Sequence, residues 1–290
     1  MGTSTLPLYL ITVLVWGSTW IAITFQLGEV PPLASVIYRF VLAAALLFAW
    51  CGLRAIPLRL TRREHGLLLI QGSCLFGFNY WLVYLASQYL ISGIVAVVFS
   101  GIVFFNVINA RILLGTAVSL KVLLGSVIGI IGVGLLFVRD LGTLTLSSTT
   151  GMGLLLAGGA TYVASLGTVV ASHTARDGHS VMTINAWSML YGTLVLIIVA
   201  WVLEVDYVID TRIEYLASLI YLSVFGTIIT FAAYLKLLSR IGPDKAGYVG
   251  MMVPVVALLI STVFEGYRWT LPSVVGVSLI LLGNWQVLRK

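Results

Sequence analysis

Residues 69–103 read LIQGSCLFGFNYWLVYLASQYLISGIVAVVFSGIV. They form two apolar runs of helical length, joined by a short uncharged linker near residues 87–92. The first run carries Ser73, Gly77, Tyr80, Tyr84 and Ser87, and gaps of four and three place such residues on one face of an α-helix. That face is polar and aromatic on a helix otherwise suited to lipid. The stripe recurs 150 positions later as Ser223, Thr227, Thr230 and Tyr234. Over the same shift Leu69, Ile70, Leu85, Ile91, Ala96 and Val103 meet identical residues at Leu219, Ile220, Leu235, Ile241, Ala246 and Val253. The pattern indicates a tandem duplication, with one copy over residues 1–140 and the second over 150–290.

Composition sets the solvent. The chain has 290 residues, of which 60% are hydrophobic and only 9% charged, and its mean hydropathy is +1.09. Soluble domains carry about 25% charged residues, so this surface is built for a bilayer. The +6 net charge does not indicate nucleic acid, because its placement follows membrane orientation. Cys51 and Cys74 both fall in apolar runs and are not expected to form a disulfide. The start, MGTSTLPLYL, lacks a basic signal-peptide region, and Leu6 breaks the myristoylation pattern, so the first apolar run is expected to be a retained span.

A span needs about 20 apolar residues. Ten such runs are expected, near 7–26, 32–52, 66–87, 91–111, 120–139, 151–172, 181–203, 213–237, 244–264 and 271–288. One face then receives 12 of the 16 Lys and Arg, including Arg54, Arg59, Arg62, Arg63, Arg111 and Lys290. The other receives Arg139, Arg212 and Arg268, while Arg39 lies within a span. The positive-inside rule makes the 12-residue face, and both termini, cytoplasmic. Five spans per copy is an odd number, so the second copy enters from the opposite side. Gly125, Gly129 and Gly132 are partly echoed by Gly276 and Gly283. The expected fold is therefore all-α and integral to the membrane, with ten transmembrane helices as two inverted five-helix repeats. That architecture is common among secondary transporters, whose substrate site lies near the midplane between repeats.

No G-x-x-x-x-G-K-[ST] motif is present, so no ATP motor of that kind is built in. His65, His173 and His179 fall in expected loops without metal-ligand spacing, and no Asp or Glu sits mid-span as half of an acid–base pair. No catalytic set, metal site or cofactor is expected, and the chain does not read as an enzyme. The deep aromatics carry more information. Trp50, Trp187, Trp201, Trp269 and Trp285 fit an interfacial belt, whereas Trp16, Trp20 and Trp81 lie deeper. Singly, each deep Trp reads as packing against small residues. As a set, Trp16, Trp20, Tyr80, Tyr84 and Tyr234 read as a cavity wall whose donors need partners. Asn79, Ser100, Thr161, Thr230 and Pro254 complete the candidate lining. Pro254 sits deep in a span and frees a backbone carbonyl. The Thr161 face, with Gly158, Ser165, Thr168 and Ser172, also suits tight helix packing. Arg39 sits about seven residues inside its span, roughly 10 Å deep. It either snorkels outward or attracts a carboxylate-bearing solute.

With these residues in place, the chain resembles the EamA-type members of the drug/metabolite transporter superfamily. VWGSTWIA (15–22) resembles their opening span, PPLASVIYRF (31–40) their second, and ASQYLISGIVAVV (86–98) their helix 3–4 junction. RIGPDKAG (240–247) and MMVPVVALLISTVFEG (251–266) resemble their ninth helix, with its Pro and terminal Glu. The first copy departs from the family pattern at residues 114–116, LGT, and at Phe104. The resemblance implies ten helices, a cavity lined by helices 1, 3, 4, 6, 8 and 9, and export of amino acids or related metabolites. The deep aromatics point to a bulky, net-neutral zwitterion as the small-molecule substrate. The expected setting is the cytoplasmic (inner) membrane, as monomer or homodimer, with the bilayer as partner and no nucleic acid. A channel-like pore, a multidrug or toxic-cation exporter, and a membrane enzyme or assembly factor remain rival readings.

Overall fold

The computed structural model describes residues 5–115, 120–136, 148–174, 178–246 and 248–288, and the regular elements among them are all helical. In chain order these are α1 (Leu6–Thr24), α2 (Pro32–Leu53), α3 (Arg62–Gly72), α4 (Asn79–Ala86), α5 (Ser92–Phe99), α6 (Ile102–Leu114) and α7 (Leu120–Leu136). They continue as α8 (Ser148–Thr174), α9 (Val181–Val202), α10 (Ile213–Ile220), α11 (Thr230–Ala246), α12 (Tyr248–Phe264) and α13 (Leu271–Leu288). Arg139, Asp140, Thr116, Arg176, Gly247, Arg289 and Lys290, which bear on charge placement or motif matching, lie outside the described residues.

Seven helical segments among the described residues are long and apolar enough to cross a bilayer. Three shorter apolar helices, Leu123–Leu136, Val249–Phe264 and Leu271–Gln286, accompany them. Their boundaries follow local chemistry. Pro32 opens α2, where the missing N–H is no loss. Thr61 and Glu64 form a reciprocal capping box that starts α3. Ser180 caps α9 through the Met182 N–H. His65 lies in the first turn of α3 and His173 in the last turn of α8, not in the connections expected for them. These helices begin earlier and end later than the apolar runs, because caps and not hydropathy terminate a helix.

Two segments depart from α geometry. Ser73–Phe78 and Tyr221–Ile229 are π-helical. Within the second, Thr227 Oγ1 donates to the Leu222 carbonyl five residues back at 2.9 Å, and Thr230 Oγ1 to Phe225 at 2.6 Å. One extra residue in a turn rotates everything beyond it by about 100°. The single face expected for Ser73, Gly77, Tyr80, Tyr84 and Ser87 is therefore split. Ser73 Oγ returns to its own helix at the Leu69 carbonyl, and Gly77 is buried against Gly192, away from Tyr80.

Helix α7 packs along α13, α2 along α9, and α1 along α12 and α11. Helix α8 packs on α3, α4, α5 and α6, and α12 packs along α5. Glycines permit the closest approaches. A Cβ on Gly283 would fall 2.5 Å from the Gly125 carbonyl oxygen. Gly72 and Gly192 also meet backbone to backbone, and a Cβ on Gly93 would fall 2.9 Å from Leu258 Cα. Without water to drive apolar association, such close packing is what holds helices together in lipid. Apolar side chains such as Leu155, Ile198, Trp201, Ile213, Val263 and Phe264 remain exposed on the outside, as a lipid-facing belt requires. Two ends of the bundle can be distinguished. At one, Tyr38 Oη donates to the Val208 carbonyl, so residues 203–212 cover α2. At the other, Thr183 and Trp187 donate to the carbonyls of Pro57 and Leu58. These are called the Asp210 end and the Arg62 end below.

Candidate functional site

A cavity of about 370 Å³ opens between α1, α4, α5, α6, α11, α12 and α13. Its wall is aromatic and apolar, built on Trp16, Trp20, Tyr80, Phe99, Phe231 and Met251. Trp16 is held in place from two sides. Its Nε1 donates to the Gly226 carbonyl at 3.1 Å, and its ring meets Phe231 and Tyr234 at 5.3 and 5.2 Å. The carbonyl it uses belongs to the π-helical turn, where the α ladder is interrupted. Trp20 leans on Phe99 at 5.4 Å. Pro254 lines the cavity inside α12. It offers no N–H to the carbonyl of Gly250, which also lines the cavity.

A recess of about 50 Å³ continues from this cavity past Thr19, Trp20, Tyr80 and Phe99 to Arg39 and Asn79. Arg39 is 2% exposed. It does not snorkel; its guanidinium carbon lies 4.6 Å from the centre of the Tyr80 ring and 5.2 Å from that of Phe40. Each such contact is worth up to about 2 kcal/mol when desolvated. Nε and Nη1 have no hydrogen-bond partner, and no carboxylate pairs with Arg39 among the described residues. An unpaired buried donor costs about 1–3 kcal/mol, more when charged. On Asn79, Nδ2 donates to the Leu75 carbonyl at 3.1 Å, which fixes the amide and leaves Oδ1 buried without a donor. Asn284 leaves Oδ1 in the same state at the other extreme of the cavity.

The cavity thus brings together Trp16, Trp20, Arg39, Asn79, Tyr80, Ser100 and Pro254. The remaining four candidates sit elsewhere. Tyr84 is fully buried and donates to Gln26 Oε1 at 2.6 Å. Tyr234 stands behind Trp16 in a cluster with Val13, Leu237 and Val249. Thr230 and Thr161 return their hydroxyls to their own helices, at the carbonyls of Phe225 and Ala157. Asn109 bonds Ser165 across α6 and α8 at 2.9 Å, as interhelical glue. Thr19, Phe99, Phe231 and Asn284 join the lining, although the sequence pattern does not single them out. Asn284 carries a readable signal, an amide in the last apolar run; Phe99 and Phe231 carry none.

Towards the Asp210 end, α12 is tied to α5. Glu265 reaches from the end of α12 to the start of α5, where it accepts from the Ser92 N–H at 3.0 Å and from Ser92 Oγ and Ser261 Oγ at 2.5 Å each. Ser261 Oγ in turn accepts from the Gly93 N–H at 2.9 Å. A carboxylate here satisfies donors that α5 cannot satisfy for itself and faces the positive end of its dipole. Towards the Arg62 end the lining continues to Gly250, Met251 and Asn284.

Comparison with known proteins extends the picture. The model of the EamA-like transporter family matches twice, over residues 3–138 and 151–289. A Salmonella typhimurium protein described as a probable amino-acid metabolite efflux pump is 26% identical over 95% of this chain and 92% of its own. The Escherichia coli protein described as uncharacterized inner membrane transporter YedA is 29% identical over 94% and 89%. The Bacillus subtilis protein described as uncharacterized transporter YoaV is 24% identical over 93% and 91%. A solved crystal structure shares the fold with a TM-score of 0.68 at 17% identity, covering 99% of this chain and 96% of that one.

Proposed function

Since the chain belongs to the EamA-like transporter family, with a family match over each half, we propose that it is a secondary exporter of amino acids or related small metabolites. It works across the cytoplasmic membrane by alternating access, through the central cavity between two inverted five-helix repeats. The observation that carries this reading is the aromatic cavity, whose wall draws on α1, α4, α5 and α6 from one half and α11, α12 and α13 from the other.

Three features support the inverted repeat. The π-helical segment Ser73–Phe78 has a counterpart 150 residues on, inside Tyr221–Ile229. Gly132 meets Gly276 while Gly125 meets Gly283, so each glycine touches the echo of the other, the reciprocity that a twofold axis produces. Packing follows the same exchange: α1 on α12 mirrors α8 on α5 and α6, and α1 on α11 mirrors α8 on α4. Names of relatives support the substrate class, since the Salmonella typhimurium protein above carries the description amino-acid metabolite efflux pump.

With the 12-residue basic face taken as cytoplasmic, the Arg62 end faces inward. The cavity is then an inward-facing one, closed outside by Glu265, Ser92 and Ser261. Countertransport tests the mechanism. Vesicles preloaded with unlabelled apolar amino acids should take up labelled ones faster than empty vesicles. Equal rates in loaded and empty vesicles would sink the carrier reading in favour of a pore.

A further inference from the structure

We infer that the Arg39–Asn79 recess is a head-group site for a zwitterion: Arg39 takes the carboxylate of an α-amino acid and Asn79 Oδ1 takes its ammonium. The inference rests on the transport reading and assigns that site its substrate chemistry. Its basis is complementarity. Arg39 and Asn79 both line the recess, and each holds buried polar atoms without a partner: Nε and Nη1 of the guanidinium and Oδ1 of the amide. Nε and Nη1 lie on different edges of the guanidinium, so a carboxylate takes a single charge-assisted bond from either one and not the pair of a fork. The Asn79 acceptor is not free to flip into a donor, because Nδ2 is engaged by Leu75. An α-amino acid carries its anionic and cationic groups on one carbon, so both must be met within a small volume. The recess, at about 50 Å³, is of that scale.

The larger cavity then receives the side chain. Its wall, from Trp16 and Trp20 to Phe231, Met251 and Pro254, suits an apolar or aromatic group. Size is not limiting at about 370 Å³. The same arrangement disfavours cations. Among the described residues no carboxylate lines either space, and an unneutralised Arg39 charge repels an amine that brings no anion with it. Tyr80 joins the two spaces: its ring lies under the guanidinium and lines both. A neutral zwitterion neutralises Arg39 locally without leaving a net charge of its own to be desolvated.

Binding to the purified full-length protein tests this by calorimetry. The probes are phenylalanine, leucine and methionine, their amides, phenethylamine, and 3-phenylpropanoate. The amino acids should bind at least about tenfold tighter than the amides and the amine, since a buried donor left unpaired penalises an analogue without its partner. Arg39→Met should lose about tenfold or more in amino-acid affinity while unfolding at the same or a higher temperature, as replacement of a buried charge by an apolar group allows. Arg39→Lys keeps the charge but replaces the fixed, planar set of donors by a single ammonium and should recover only part of the affinity. Asn79→Leu should weaken phenylalanine and leave 3-phenylpropanoate unchanged. Two results overturn the inference: amine or amide binding as tight as that of the amino acids, or no binding by any amino acid of the panel. Counterflow of other metabolites in the same vesicles would leave the transport reading standing in either case.

Discussion

Gly132 and Gly276 face each other so closely that a Cβ on either would fall 2.6 Å from the carbonyl oxygen of the other. With Gly283 against Gly125 and Gly129, they allow α7 and α13 to run in contact over most of their length. Neither helix is long by the measure of the bundle, and close backbone contact is what they contribute.

Gly132→Val and Gly276→Val should therefore each destabilise the protein by about 1–3 kcal/mol, the usual cost of overpacking. Gly134 lies on the same helix as Gly132, and a Cβ added there would meet nothing within 4 Å. Gly134→Ala should be neutral or slightly stabilising, because Ala is the better helix former. Thermal unfolding in detergent, followed by loss of monodisperse protein, measures all three. Equal melting temperatures for Gly132→Val and Gly134→Ala would show that the glycine contact is not what holds the pair.

The orientation has its own test. A reporter active only outside the cytoplasm should be silent when fused after Arg62 and active after Asp210. The 12-to-3 split of basic residues sets this expectation. Activity after Arg62 would invert the assignment of the cavity to the inward-facing state.

The helices are legible in the sequence because apolar length, Pro and charge are local signals. The expected starts at 32 and 181 match helices opened by Pro32 and capped by Ser180, whereas the Thr61–Glu64 box starts α3 ahead of the run expected from 66. The depth of Arg39 is legible too, but not its surroundings, since the faces of Tyr80 and Phe40 reach it only through tertiary packing. The π-helical segments are not legible. A π turn has no residue signature of its own; it is held by neighbours, as where Trp16 takes the Gly226 carbonyl. Tyr80 and Tyr84 lie four residues apart on the regular helix α4, beyond the π turn, so they share a face and the turn does not separate them. Position along that face separates them, which the sequence does not show: Tyr80 lines the cavity, while Tyr84, one turn on, is buried against Gln26.

At the Asp210 end, the Arg212 guanidinium and backbone N–H hold the Asp210 carboxyl below the usual carboxylate range. A depressed acid stabilises the fold above its unfolded pKa of about 3.9, and the contribution is lost as pH falls through the folded value. Asp210→Asn should lower the melting temperature at neutral pH, and the gap to the parent should close as the pH drops below about 4. A gap that persists unchanged in acid would mean that packing, not the charge, accounts for the loss.

Glu265 is the acid nearest the cavity's closed end, and its bonds decide between two roles. A coupling acid must be free to gain and lose a proton as the carrier moves. Glu265 instead accepts three donors from Ser92 and Ser261 and joins α12 to α5. The geometry suits a latch. Glu265→Gln keeps an acceptor for the Ser92 N–H and should still move substrate down its gradient in liposomes without an imposed pH difference. Glu265→Ala leaves the donors unpaired at about 1–3 kcal/mol, which corresponds to a shift of about 5- to 150-fold away from the closed outer end. A cysteine placed at Ala96 in a background lacking Cys51 and Cys74 should then react faster with an impermeant thiol reagent from outside. Transport that requires a pH gradient in the parent and vanishes in Glu265→Gln would instead make the carboxylate the coupling group.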